Sequence, residues 1–369
     1  MPDPTFLHPT RRAIIGGMLA AGSLPARGFA ASPTALIAGT YAREGGPGLV
    51  ALAPHESRWS AGKVHPTVRN ASFGVMSPRT GLRYLVDEQQ TGGLGIYDTA
   101  FCLIAAAPTL GADPCHLALS SDGKLLAAAN YSSGSVVLWT LNEATGLPRA
   151  GAQRVQHRGH GPNRKRQAAP HAHWVGFTAG NAILHAVDLG ADAIFAHHID
   201  QATGRIADTR IAYRAAPGSG PRHLLRHPGL PIAYLVAELA NTVTVLRAGS
   251  DGTFVRVGAV SSLPAGFHGT SFAAHIAMNA AGTRLYVSNR GHDSIAVFEI
   301  GARGMLRMLQ HVPSGGHWPR FFKLMEGRGE MLVANERSGG VAVLPVGADG
   351  RLAPMKANVP IRGVAFVGD

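Results

Sequence analysis

Apolar residues along this chain come in short runs. Each run is closed by a polar residue and a Gly, Asp, Asn or Ser turn, and the unit then repeats. The clearest copy is NAAGTRLYVSNRGHDSIAVFEI, from Asn279. Further copies start at Ser120, Thr178, His227 and Met325, with weaker ones at Thr34 and Ser77. The polar residues closing the first run of each copy are Thr40, Glu88, Asn130, Asp188, Glu238, Asn289 and Asn335, a spacing of about 49 residues. That period is too long for leucine-rich or ankyrin repeats, and the content is strand rather than helix. It predicts an all-β fold, a seven-bladed β-propeller with four strands per blade. Runs such as Leu235-Val236-Ala237 and Ala296-Val297-Phe298 are apolar throughout, as expected of sheets covered on both faces.

Another strand precedes each turn, in DPCHLALS (from Asp113), PHAHWVGF (from Pro170), PRHLLRHP (from Pro221), PRFFKLM (from Pro319) and NASFGVMS (from Asn70). The chain ends on the same pattern, VPIRGVAFVG from Val359, while the copy at Thr34 lacks it. The C-terminal strand is therefore expected to complete the first blade and close the ring, which removes open sheet edges.

Composition agrees with this reading. The 47 Gly and 24 Pro serve as turn punctuation, and 46% hydrophobic residues suffice for a core. Residues 1–31 read as an address: Arg11-Arg12, a small-residue apolar run from Ala13 to Ala26, and a cleavage-like stretch around Ala30 and Ala31. The arginine pair resembles a twin-arginine export signal, which implies a periplasmic propeller over residues 32–369, soluble and monomeric after cleavage. The net charge of +12 favours an anionic ligand. Aromatic content of 7%, without interleaving among the basic residues, argues against nucleic acid. The basic run Arg164-Lys165-Arg166 reads as a solvated loop beside the pocket. Export would permit a bridge between Cys102 and Cys115, but the place of Cys115 at the opening of an inner strand argues against one.

In an antiparallel blade, the start of the innermost strand lies beside the end of the second. Two polar sets therefore converge on one mouth of the channel. The inner-strand starts carry His116, His171, His173, Arg222, His223, Arg320 and Arg362; the second-strand ends carry Glu88, Asn130, Asp188, Glu238, Arg290, Asn335 and Glu336. Arginines can fork onto a carboxylate or phosphate and stabilise a developing oxyanion, and histidine can move a proton near neutral pH. The set suits water attack on an anionic ester or lactone. There is no G-x-S-x-G nucleophile elbow. Only the H-x-H at 171 and 173 suggests a metal and no second ligand motif accompanies it, so neither metal nor cofactor is expected.

The stretches GHGPNRKRQAAPHAH (Gly159 to His173), VDLGAD, PGSGPRHLLRHP, AELANTVTV, LYVSNRGHDSIAVF and GGHWPRFF carry a resemblance to a known family. The chain resembles the seven-bladed propeller lactonases, which include bacterial 6-phosphogluconolactonases and fungal carboxy-cis,cis-muconate cyclases. The resemblance implies metal-independent opening or closing of lactones that carry a carboxylate or phosphate. Carried over residue by residue, it implies a catalytic set of His171, Arg222, Glu238 and Arg290, with either Glu238 or His171 activating water. His173, Asp188, His223 and Arg320 are expected to help bind the substrate. An export signal departs from the cytosolic members and leaves the natural lactone open. A non-catalytic propeller binding a sugar acid or a protein, and a lactonising cyclase, are the rival readings.

Overall fold

The computed structural model describes residues 36–56 and 58–369; the export signal expected at 1–31 lies outside them. Twenty-eight strands form seven four-stranded antiparallel sheets. The inner strands of blades one to seven are Val364–Gly368, Gly74–Met76, Pro114–Leu119, Ala172–Phe177, Pro221–Arg226, Phe272–Met278 and Pro319–Met325. Val364–Gly368 pairs with Leu36–Thr40, with Ala38 opposite Val367, so the C-terminal strand closes the ring as expected. The second strands run Leu36–Thr40, Arg83–Asp87, Leu125–Asn130, Ile183–Asp188, Ile232–Ala237, Arg284–Arg290 and Glu330–Asn335. These segments are apolar on both sides because both sheet faces are covered; Ile232–Ala237 and Glu330–Asn335 are buried at every position.

Each blade interface holds its own apolar cluster. One example joins Tyr234, Val236, Val243 and Val245 of blade five to Ala273, Leu285 and Phe298 of blade six. A repeated latch reinforces these interfaces. Tyr84, Tyr234 and Tyr286, on three second strands, donate their hydroxyls to the carbonyls of Gly146, Gly304 and Gly350 in the following blade, at 2.7, 2.9 and 2.7 Å. His185 Nε2 occupies the same role towards Gly252, at 2.7 Å. The four glycines have φ between 73° and 84°, a backbone region other residues seldom adopt, which explains the Gly in each outer hairpin.

Candidate active site at the channel mouth

Six of the seven inner strands slip register near their start. The residues left unpaired are Ala365, Cys115, His173, Arg222, Arg320 and, in the sixth blade, Ala274 with His275. A bulge kinks the strand and re-aims side chains. In a regular strand Arg222 and His223 would face opposite sides. Here Arg222 Nη1 donates to His223 Nε2 at 3.0 Å and to the carbonyl of Ala274 at 2.7 Å, and both side chains are buried at the ring's centre.

The bulges support a floor across the channel. Each blade supplies one ring: Phe366, Phe73, His116, His173, His223, His275 and Phe321. Every ring is centred 4.0 to 5.7 Å from a neighbour. Burial, reinforced by the nearby Arg222 charge, holds the imidazoles of His173 and His223 well below the usual histidine range. His116 is held low by burial and by His275, and His275 itself falls to about 3 through burial. These rings are neutral packing elements near pH 7. His275 was missed from the sequence, because its two-residue bulge breaks the alternation that marks an inner strand.

Above the floor lies a second ring, one residue past or at the end of each second strand: Tyr41, Glu88, Tyr131, Leu189, Glu238, Arg290 and Glu336. Five of them donate a backbone N–H to the carbonyl that precedes the inner strand, as Glu238 does to Gly220 at 2.7 Å and Glu336 to Trp318 at 3.1 Å, and Glu88 donates to Asn70, a little further ahead of its strand. Arg290 pairs at the same level with Phe272.

Glu238 is the centre of one side of this ring. Its Oε2 lies 2.8 Å from Arg290 Nη2 and 3.2 Å from Arg222 Nε, and its Oε1 lies 2.6 Å from Arg166 Nη2. Glu238 is 3% exposed. Burial alone would raise its carboxyl, but Arg290, Arg222 and the other nearby charges hold it far below the carboxylate range. Arg222 is pulled down to about 9 by burial and by Arg290 and Arg320, and it remains protonated at neutral pH. Three guanidiniums around one carboxylate leave a local surplus of positive charge, which suits an anion.

Arg166 corrects the expectation of a solvated basic run. Its head turns inward onto Glu238 and onto the Tyr131 hydroxyl at 3.2 Å. The loop is anchored by the fully buried Gln167, whose Nε2 donates to the carbonyl of Leu189 at 2.9 Å. Arg164 and Gln167 line a cavity of ≈ 780 Å³ with His160, Asp192 and Arg214. That cavity flanks the charged mouth and does not include Glu238.

His171 is half-buried and stacks on Tyr131, with centroids 4.6 Å apart. Its Nδ1 donates to the carbonyl of Tyr131 at 3.0 Å. A carbonyl only accepts, so the neutral ring carries its lone pair on Nε2. Asp188, expected to help bind the substrate, is wholly enclosed. One oxygen accepts the backbone N–H groups of His171 and Ala191 at 2.7 and 2.8 Å, and the other accepts His157 Nδ1 at 2.7 Å. It sets the backbone beneath His171. His157 left no motif in the sequence, because nothing local links it to Asp188. Arg362 is exposed in the turn before the last strand and takes no part. Both cysteines are free.

On the opposite side of the mouth, Arg320 Nη2 lies 3.3 Å from Glu88 Oε2, and the Tyr41 hydroxyl donates to the same oxygen at 2.6 Å. Ser72 also donates to it. Glu336 completes this group, with Oε1 3.7 Å from Arg43 Nη2.

Comparison with known proteins places this architecture. Residues 35–368 match the family model of the seven-bladed β-propeller lactonases. The chain belongs to that lactonase family. A 6-phosphogluconolactonase of Bacillus subtilis is 29% identical over 334 residues, which cover 88% of this chain and 94% of that relative. The periplasmic gluconolactonase of Pseudomonas aeruginosa superposes with a TM-score of 0.83 at 27% identity, over 90% of this chain and 98% of that one. A Lactobacillus plantarum protein superposes at 0.81 with 25% identity, over 90% and 98%. In this lactonase propeller, Arg222, Glu238 and Arg290 form one contact network, to which Arg166 and Tyr131 connect His171. Arg320 stands with the acidic group, and His173 and His223 lie in the floor. Among the described residues, no group of three or more His, Cys, Asp or Glu is arranged to hold a metal ion.

Proposed function

We propose that this protein hydrolyses a sugar lactone at this mouth, either the anionic 6-phosphogluconolactone kind or its neutral relative gluconolactone. The observation that carries the reading is the carboxylate of Glu238 held by three guanidiniums, joined through Tyr131 to an imidazole with a free lone pair. Glu238 is a poor base, because both of its oxygens are engaged and its ionised form is strongly favoured. Its role is to hold Arg166, Arg222 and Arg290 in place. That leaves the proton transfer to His171. Nε2 takes a proton from water as the water oxygen bonds to the lactone carbonyl carbon. The guanidiniums stabilise the oxyanion that forms. As the ring C–O bond breaks, the imidazolium returns the proton to the departing alkoxide, giving an open-chain aldonic acid that releases its carboxyl proton to solvent as the aldonate.

The Arg11-Arg12 segment and the periplasmic name of the Pseudomonas relative support export as the setting. The test is turnover by purified protein of 6-phosphogluconolactone, gluconolactone and muconolactone, with and without a chelator. Hydrolysis of the first or second, unaffected by chelator, is expected. No turnover of any lactone would favour a binding role, and loss with chelator would remove the metal-free mechanism.

A further inference from the structure

The mouth has two unlike sides. One is the arginine cluster around Glu238. The other holds two carboxylates, Glu88 and Glu336, with Tyr41, Ser72 and Arg320. Glu88 is saturated by donors. Glu336 is not: it is 4% exposed, its Oε1 meets only the distant Arg43, and its Oε2 is buried with no hydrogen-bond partner among the described residues. A buried carboxylate oxygen without a donor costs free energy that a ligand donor would recover. The side chain occupies the same ring position as Glu238 and Glu88, the level that faces the mouth, and its charge acts on Arg320 and Tyr41. Two guanidiniums, Arg43 and Arg320, already stand in this group, and a neutral ligand O–H supplies the missing donor without adding a further charge.

We propose that this acidic side is the hydroxyl-recognising half of the site, with Glu336 Oε2 accepting a hydrogen bond from a ligand hydroxyl. The carbonyl end of the lactone, a carboxylate in the product, then sits against Arg166 and Arg290, and the polyol chain extends towards Glu336 and Glu88. The ligand class is a polyhydroxylated lactone or aldonate, as opposed to an unsubstituted lactone of equal ring size. An analogue without hydroxyls would leave the buried oxygen unpaired, and sites built around such a bond reject analogues of that kind strongly. This assignment rests on the mouth being the lactone site, and its test separates the two ideas.

Gluconate and hexanoate share a carbon count and a charge but differ in hydroxyls. Calorimetric titration of the full protein should show gluconate binding at least tenfold more tightly than hexanoate, and Glu336→Gln should remove most of that preference. In parallel, the ratio of kcat/KM for gluconolactone over δ-hexanolactone should fall at least tenfold in the same variant, mainly through KM. Wild-type protein that binds hexanoate as tightly as gluconate would overturn the proposal without any variant. So would an unchanged preference in a folded Glu336→Gln protein. If neither of these lactones nor 6-phosphogluconolactone is turned over, the hydrolytic reading fails, while the gluconate titration still decides the role of Glu336.

Discussion

Arg166 Nη2 lies 2.6 Å from Glu238 Oε1, which joins a loop before the fourth blade to the ring position of the fifth. Arg166 is one-third exposed and Glu238 is buried, so the pair closes the charge cluster from the solvent side. Replacing Arg166 with Met should lower kcat/KM about 10- to 100-fold, equal to ~1.4–2.8 kcal/mol of transition-state binding. The melting temperature should shift by less than about 3 °C, since Arg166 reaches solvent and Glu238 keeps Arg222 and Arg290 as partners. Steady-state kinetics and calorimetry on one preparation check both.

Glu238 itself should behave differently. Glu238→Ala strands three guanidiniums near a buried position, at a cost of about 3–5 kcal/mol. Glu238→Gln keeps an acceptor and the packing, so it should lose less stability while turnover still collapses. Urea unfolding midpoints for the two variants test the ordering; equal midpoints would contradict the role of Glu238 as the cluster's counter-charge.

His171→Gln should reduce kcat by about 10²- to 10⁴-fold, the range for removal of a general base. KM should change little and the fold should persist, because the ring makes one side-chain hydrogen bond and is half-buried. Gly190→Ala should mimic the defect indirectly. A Cβ there would collide with the carbonyl of Ala169 and press on the His171 ring. A Gly190→Ala protein with wild-type kcat would remove this steric link.

Acid should destabilise the protein from a higher pH than carboxylates alone would dictate. Burial lowers the native-state values of His116, His173, His223 and His275, the last to about 3, and of His185 to about 4. The unfolded chain therefore binds these protons first. Stability should fall as pH drops below about 6.5, by up to ~1.4 kcal/mol per pH unit for each imidazole. Glu238, depressed in the native state, adds its own loss only below about 4.3, the ordinary Glu value. Chemical unfolding between pH 7 and pH 5 measures the slope, and a flat profile over that range would contradict neutral channel histidines.

Tyr234→Phe should cost about 1 kcal/mol by leaving the Gly304 carbonyl unmet, with kcat unchanged, since the latch lies in a blade interface. Thermal melts and the standard lactone assay check this together.

The seven-blade ring was legible in the sequence, because each blade must repeat the same apolar runs and turns to pack its two faces. Arg222, Glu238 and Arg290 were legible too: a charge closing an apolar strand needs a partner, and antiparallel pairing brings strand ends to one mouth. Arg166 was misread because a basic run in a Gly/Pro loop has no local signal for the direction of one head group. Asp188 closes its strand much as Glu238 does, and no local pattern says which of the two is enclosed. Only the fold set His157 of another blade against it.

By itself, then, the sequence determined the repeat, the closure by the last strand and the residue types at the mouth, all of which follow from local periodicity and strand pairing. The tertiary structure decided the rest. Register slips turned Arg222 and His223 to the same side, three arginines from separate segments met on one carboxylate, and Glu336 was buried with one oxygen unpaired. These depend on distances between residues far apart in the chain, which no local pattern encodes.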